Sequence, residues 1–137
     1  MTTTVQWKGN MAFEGKTPSG HKILLDPTLN EEYQAKGPSP MEVVLVALGG
    51  CSGIDVVSIF EKMRLDVTDF KIEIEAARAD EHPKVYNKIK MVYRVWGENL
   101  SEDRVKRAVD LTQEKYCSVL HMLNKTASVE YSYQINP

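Results

Sequence analysis

Residues 39–63, SPMEVVLVALGGCSGIDVVSIFEKM, predict one long apolar helix, around which the other elements of the chain can be placed. Ser39 suits the N-cap, Pro40 suits the first helical position, and Glu42 lies three residues after the cap, as in a capping box. Apolar residues then occur on nearly every side of the helix, as expected when protein surrounds it. We therefore expect a central helix that holds Cys51 inside the molecule.

The segment before this helix indicates a small antiparallel meander. Turn-forming residues at 9–10 and 18–20 separate three short runs with strand character. These runs are residues 3–7, 11–14 and 21–25. The polar residues from Asp26 to Pro38 then predict a loop that leads into the helix.

The segment after the helix predicts a hairpin, further helices and a last strand. Residues 70–76 alternate between apolar and charged side chains, residues 85–96 form the matching strand, and 80–84 supply the turn. The expected core face of the hairpin comprises Ile89, Met91, Tyr93 and Val95. The helix that begins at Ser101 has an inner stripe of Val105, Ala108, Val109 and Thr112. A short helix begins at Cys117, and residues 129–135 alternate as a closing strand. This segregation of elements favours an α+β fold.

Length and composition favour one globular domain over residues 1–137. The chain is 42% hydrophobic and 26% charged, with 17 Lys and Arg against 19 Asp and Glu. A net charge of −2 gives no positive field for nucleic acid, so a small or uncharged partner is expected. The longest apolar run, residues 43–48, is far shorter than the roughly 20 residues that a membrane span needs. Because the first residues lack the pattern of a secretion signal, we expect no membrane association and a cytoplasmic location.

The function of the chain depends on the roles of its two cysteines, Cys51 and Cys117. In a reducing compartment, such residues are buried hydrophobes, metal ligands or reactive thiols. Cys117 lies at the start of a predicted helix, which would lower its pKa, whereas the residues alone favour Cys51 as a space-filling side chain. His121 follows Cys117 by one helical turn and could join both cysteines around a metal, but three ligands without a fourth make a poor structural site.

Four motifs give the chain a resemblance to a known family. Residues 37–42 (GPSPME), 47–51 (ALGGC), 54–57 (IDVV) and 116–119 (YCSV) resemble the two cysteine segments of the OsmC/Ohr family. The resemblance covers most of the chain. It implies an OsmC-like fold, in which antiparallel sheets wrap around central helices in an intertwined homodimer with active sites at the subunit interface.

The resemblance also implies an activity and roles for residues. Cys51 would be the peroxidatic cysteine that attacks an organic hydroperoxide, and Cys117 would be the resolving cysteine that closes a disulfide. Glu42 is the third candidate catalytic residue, since the family places a glutamate in this helix. A dithiol or lipoyl-type reductant would reopen the disulfide, and no cofactor or metal is required.

Two departures from the family pattern keep a second function open. Active members pair the first cysteine with an arginine from the N-terminal region, but here the first arginine is Arg64. Met41 stands at the position of the family's glutamate, and its neighbour Glu42 also suits the capping box. The protein is therefore either a thiol peroxidase that uses another cation, such as Arg78 or Arg104, or a noncatalytic dimer. Such a dimer would bind an apolar ligand or sense oxidation.

Overall fold

The computed structural model describes all 137 residues and has the expected α+β composition. It contains six strands, three α-helices and one π-helical turn. In chain order they are β1 (Thr4–Trp7), β2 (Phe13–Lys16), β3 (Lys22–Leu25), α1 (Pro40–Lys62), β4 (Val67–Arg78), β5 (Tyr86–Gly97), α2 (Glu102–Leu111), the π-helical turn (Thr112–Tyr116), α3 (Ser118–Leu123) and β6 (Ser128–Ile135).

The chain divides into two compact units, Met1–Val46 and Ala47–Pro137, with the division inside α1. A single domain over 1–137 stays a prediction. In the first unit, β1, β2 and β3 pair in chain order as the predicted antiparallel meander. Both tight turns contain a glycine with positive φ, Gly9 at 97° and Gly20 at 89°, a conformation that side chains disfavour.

The polar loop after β3 is organised around a buried carboxylate. Asp26 is 1% exposed, and its two oxygens accept hydrogen bonds from the Tyr33 hydroxyl at 2.7 Å and the Lys36 backbone N–H at 2.9 Å. The Asp26 N–H donates to the carbonyl oxygen of Pro38 at 2.9 Å. These bonds satisfy the buried charge and fix the loop that leads into α1.

The second unit contains a sheet in the order β4-β5-β6. Strands β4 and β5 form the predicted antiparallel hairpin, but β5 and β6 are parallel, which the expectation of antiparallel sheets did not include. The reason is the connection between them, because the chain crosses over through α2 and α3 before β6 begins. Parallel neighbours require a long connection of this kind.

The predicted core of the second unit is confirmed. The four expected side chains of β5 and the four of the α2 stripe are all 2% exposed or less. Helix α1 adds a stripe of residues four positions apart, which are Leu48, Ser52, Val56 and Phe60. This spacing places one face of the helix against protein. The Phe60 ring meets Phe70 edge to face at 5.7 Å between centroids, and Phe70 stacks on Tyr93.

The exposure and the hydropathy of α1 differ from two expectations. Val46 and Ile54 are 71% and 72% exposed, so this chain alone does not surround the helix, and Cys51 is half-buried instead of internal. An 18-residue window within the 23 residues of α1 also reaches a mean hydropathy of 2.1, so the helix is long and apolar enough to cross a membrane by length and composition alone. Counting only the apolar run 43–48 missed this property. This hydropathy does not by itself indicate a membrane span, because the core helix of a soluble protein passes the same test.

Candidate functional site

The structure brings Cys51 and Cys117 together with a third residue, Asp55. The two sulfur atoms and a carboxylate oxygen of Asp55 all lie within 4.8 Å of one another, and both cysteines are free thiols. Cys51 and Asp55 are one helical turn apart on α1, so their side chains project from the same face. Cys117 comes from the junction between the π-helical turn and α3.

The π-helical turn determines where Cys117 lies. The Cys117 N–H donates to the carbonyl oxygen of Thr112, five residues earlier, at 3.0 Å. Cys117 itself is extended, with φ −71° and ψ 103°, and its carbonyl accepts the first hydrogen bond of α3 from His121 N–H at 3.1 Å. Turns of this type often occur at functional sites.

The two thiols differ in exposure. Cys117 is completely buried, and the pKa of its thiol is raised to about 12. Burial is the largest cause and Cys51 and Asp55 add to it, while the Leu120 backbone N–H acts in the opposite direction. The expectation that a helix start would lower this pKa is therefore wrong, because burial outweighs the six-residue helix α3. Cys51, which is half-buried, is the thiol that an external reagent can reach.

Asp55 is the site residue that sequence reasoning missed. Its Oδ2 atom is buried and has no hydrogen-bond partner within this chain, which is costly for a polar atom. One signal was present in the sequence, namely an acid four residues after Cys51 within an otherwise apolar helix segment. That spacing alone did not show that Cys117 would face the same carboxylate.

A buried network holds the two cysteine segments in place. The Tyr93 hydroxyl on β5 is 2.5 Å from Ser52 Oγ and accepts a hydrogen bond from Gln113 Nε2 at 2.6 Å. Ser52 follows Cys51 in α1, and Gln113 lies in the π-helical turn that precedes Cys117. Burial raises the pKa of Tyr93, and Cys117 contributes to the same shift. The tyrosine thus connects both cysteine-bearing segments to the sheet.

Two other predicted residues have different surroundings. Glu42 forms the predicted capping box, since its Oε2 accepts from Ser39 N–H at 2.7 Å and its own N–H donates to Ser39 Oγ at 3.3 Å. A catalytic role for Glu42 stays a prediction. The ring nitrogens of His121 lie 2.8 Å and 3.0 Å from the carbonyl oxygens of Cys117 and Glu114. The metal set with His121 is therefore wrong, because its nitrogens face the backbone and not the sulfurs.

The two arginines considered as substitute cations make contacts elsewhere. Arg78 Nε donates to the Lys84 carbonyl oxygen at 2.7 Å, and an Arg104 guanidinium nitrogen donates to the Met63 carbonyl oxygen at 3.3 Å. Besides burial and the Leu120 backbone N–H, the groups that shift the pKa of Cys117 are Cys51 and Asp55, and no arginine is among them. The site of this chain thus combines two thiols with a carboxylate.

This fold and this site define an α+β dithiol protein, with one cysteine on an apolar helix and the other after a π-helical turn. The chain belongs to the OsmC-like protein family, because the sequence model of that family matches residues 33–132.

Relatives and solved structures agree with this assignment. Protein YhfA of Escherichia coli K12 is 44% identical over 135 residues, which are 98% of each chain. A hypothetical protein from Aquifex aeolicus VF5 is 34% identical, with a TM-score of 0.87 over 98% of this chain and 95% of that one. The organic hydroperoxide resistance protein OhrB of Bacillus subtilis shares the fold, at 14% identity and a TM-score of 0.66 over 98% of both chains.

These similarities help to interpret α1, and some of the similar structures carry functional names. Because the alignments cover 98% of this chain, they include α1, so the apolar helix is part of the family fold and is no clear sign of a membrane span. Two proteins that share this fold, at 15% and 14% identity, are named for organic hydroperoxide resistance.

Proposed function

We propose that the protein is a thiol-dependent peroxidase that reduces organic hydroperoxides, with Cys51 as the attacking thiol and Cys117 as the resolving thiol. The observation that carries the proposal is the proximity of the two sulfurs, which lie within 4.8 Å although they are distant in sequence. Their unequal exposure supports the assignment of roles. A hydroperoxide can approach half-buried Cys51, whereas Cys117 is completely buried.

The cycle has three balanced steps. The Cys51 sulfur attacks one peroxide oxygen and the O–O bond breaks, which gives a sulfenic acid on Cys51 and an alcohol that takes up the thiol proton. The Cys117 thiol then displaces hydroxide from this sulfur, so that a disulfide and water form. An external dithiol attacks the disulfide at Cys51, passes through a mixed disulfide, and leaves as its own disulfide while both cysteines regain their protons.

Asp55 supplies the base that the second step requires. The pKa of Cys117, raised to about 12, keeps this thiol protonated at neutral pH, and a protonated thiol is a poor nucleophile. The Asp55 carboxylate lies within 4.8 Å of both sulfurs and can take the Cys117 proton as the S–S bond forms. It then returns the proton to the departing hydroxide, which leaves as water.

A groove on α1 that begins at Gly50, the residue before Cys51, supports an apolar substrate. The groove is lined by Gly50, Gly53, Ile54, Val57 and Phe70, among others. Apolar walls of this kind favour an alkyl tail over a charged group. The reductant must reach the Cys51 sulfur, which suits a small dithiol or a lipoyl-type arm.

The proposal includes a homodimer in the cytoplasm. The exposed Val46 and Ile54 lie on an apolar helix whose buried stripe occupies only one face. A second copy of the chain would cover such a surface, because large exposed apolar patches typically mark interaction sites. The two free thiols are compatible with the reducing conditions of the cytoplasm.

The test is a turnover assay with cumene hydroperoxide and a dithiol. We expect wild-type protein to consume both, Cys51→Ser to lose turnover, and Cys117→Ser to accumulate a sulfenic acid without cycling. One equivalent of peroxide should remove two thiols from the wild type without adding oxygen to its mass. Lys62→Gln, an exposed residue of the same helix that does not line this groove, is the matched control and should retain turnover. Undiminished turnover in Cys51→Ser would refute the proposal.

One observation favours a second function, a redox-sensing dimer without turnover. Burial, with smaller contributions from Cys51 and Asp55, raises the pKa of the resolving thiol Cys117 to about 12, which opposes the rapid disulfide formation that sustained turnover needs. A sensor needs only a slow, reversible disulfide. In this case peroxide would oxidise each chain once, and added dithiol would restore the thiols without sustained peroxide consumption.

A further inference from the structure

We propose that the reduced site binds one Zn²⁺ ion through Cys51 Sγ, Cys117 Sγ and a carboxylate oxygen of Asp55. This inference concerns the resting protein and does not depend on peroxidase turnover. It assigns a ligand to three side chains that lie together on facing elements of the second unit.

The geometry is close to that of a zinc site. Typical distances of about 2.3 Å for Zn–S and about 2.1 Å for Zn–O in a tetrahedron place ligand atoms roughly 3.5–3.8 Å apart. The three atoms here are within 4.8 Å of one another, so closing by at most about 1 Å would complete the set. Changes of side-chain rotamer can supply this distance. Water would occupy the fourth position, as in zinc sites with three protein ligands.

The unpartnered oxygen of Asp55 is an independent sign of a missing cation. Buried carboxylate oxygens normally accept hydrogen bonds or contact a cation, but Asp55 Oδ2 does neither within this chain. A divalent ion bound between the three side chains would contact this oxygen, and a coordinating thiol gives up its proton.

The ligand types select zinc among common divalent ions. Two thiolates disfavour Mg²⁺ and Ca²⁺, which prefer oxygen ligands, and favour Zn²⁺ or the similar ion Cd²⁺. The carboxylate is compatible with zinc at the same centre. His121 would not contribute, because its nitrogens face the carbonyl oxygens of Cys117 and Glu114.

Binding has a defined proton and redox balance. Zinc binds cysteine as thiolate, so binding displaces thiol protons, and one Zn²⁺ with two thiolates and one carboxylate gives the centre a net charge of −1. A disulfide between Cys51 and Cys117 has no thiolate to offer. Peroxide and zinc therefore compete for the same two sulfurs, and oxidation releases the ion.

The experiment uses reduced, metal-free protein titrated with Zn²⁺ in competition with a chromogenic chelator. We expect one ion per chain, proton release in weak buffer, and thiolate-to-metal charge transfer in the ultraviolet when Cd²⁺ replaces Zn²⁺. Disulfide-oxidised wild type and alkylated wild type should bind no ion. These two samples test the sulfurs without any substitution that could disturb folding.

Variants test the third ligand. Asp55→Asn should weaken Zn²⁺ binding by about 100-fold or more, at least the upper end of the effect of removing an outer-shell partner. Glu61→Gln, an exposed acid on the same helix, is the matched control and should bind as the wild type does. Equal affinity in Asp55→Asn and wild type, or no binding to reduced wild type, would overturn the proposal. Turnover is measured separately, so loss of one property leaves the other assessable.

Discussion

Replacement of Tyr93 by phenylalanine tests whether the buried network holds the site together. The substitution keeps the ring, which stacks on Phe70, and removes only the hydroxyl between Ser52 Oγ at 2.5 Å and Gln113 Nε2 at 2.6 Å. Each of these partners is buried, and a buried polar group that loses its hydrogen bond costs about 1–3 kcal/mol. Gln113 keeps a contact with Met91 Sδ at 3.3 Å, which offsets part of the loss.

We therefore expect Tyr93→Phe to lower the free energy of unfolding by about 2–4 kcal/mol, out of the roughly 5–15 kcal/mol of a typical domain. The assay is urea denaturation followed by far-ultraviolet circular dichroism, with the m-value compared between variants. Tyr131→Phe is the matched control, because that hydroxyl donates to Asp110 at 2.8 Å on the surface. Its loss should cost less than about 1 kcal/mol.

A double substitution tests whether the loss of stability comes from the hydrogen-bond network or from the packing of the ring. Ser52→Ala in the Tyr93→Phe background removes one of the two stranded polar groups, so the double variant should be more stable than the sum of the single changes predicts. A loss below about 0.5 kcal/mol in Tyr93→Phe would refute the reasoning, since it would mean that neither partner needs the hydroxyl.

Three further predictions concern the thiols and the capping box. Iodoacetamide should alkylate Cys51 before Cys117 in the folded protein, as measured by peptide mass mapping; equal rates would contradict the difference in exposure. The unfolded thiol of Cys117 ionises near pH 9.0, but the folded one, whose pKa is about 12, keeps its proton. The free energy of unfolding of the wild type should therefore fall between pH 9 and 12 relative to that of Cys117→Ala. If the two free energies followed the same pH profile, the burial argument would be wrong. Glu42→Gln should lower the free energy of unfolding by about 0.5–1 kcal/mol and leave peroxide turnover intact, so a large drop in turnover would restore its catalytic role.

Features set by neighbouring residues could be predicted from the sequence. The alternation along residues 85–96 predicted the buried face of β5, and the order Ser39-Pro40 with Glu42 predicted the start of α1 and its capping box. These signals act over a few positions, within one strand or one helical turn. The two cysteine segments were recognisable in the same way.

Features that depend on distant residues could not be predicted. The direction of β6 depends on how α2 and α3 pack, and periodicity is the same for parallel and antiparallel strands. Asp55 has the spacing of an ordinary helical acid until Cys117 is placed opposite it. The direction of the Cys117 pKa shift was also missed, because distant residues bury this thiol and its removal from water outweighs the local helix start.

The wide turn before Cys117 restricts how this segment can evolve. Its five residues, Thr112–Tyr116, hold one more position than an α-helical turn would need. Deleting any one of them would let the helix continue regularly and rotate the following residue by about 100°, the angular step of an α-helix. The sulfur would then point away from α1 even though every remaining amino acid was unchanged. Substitutions between 112 and 116 are therefore expected to be tolerated more often than insertions or deletions.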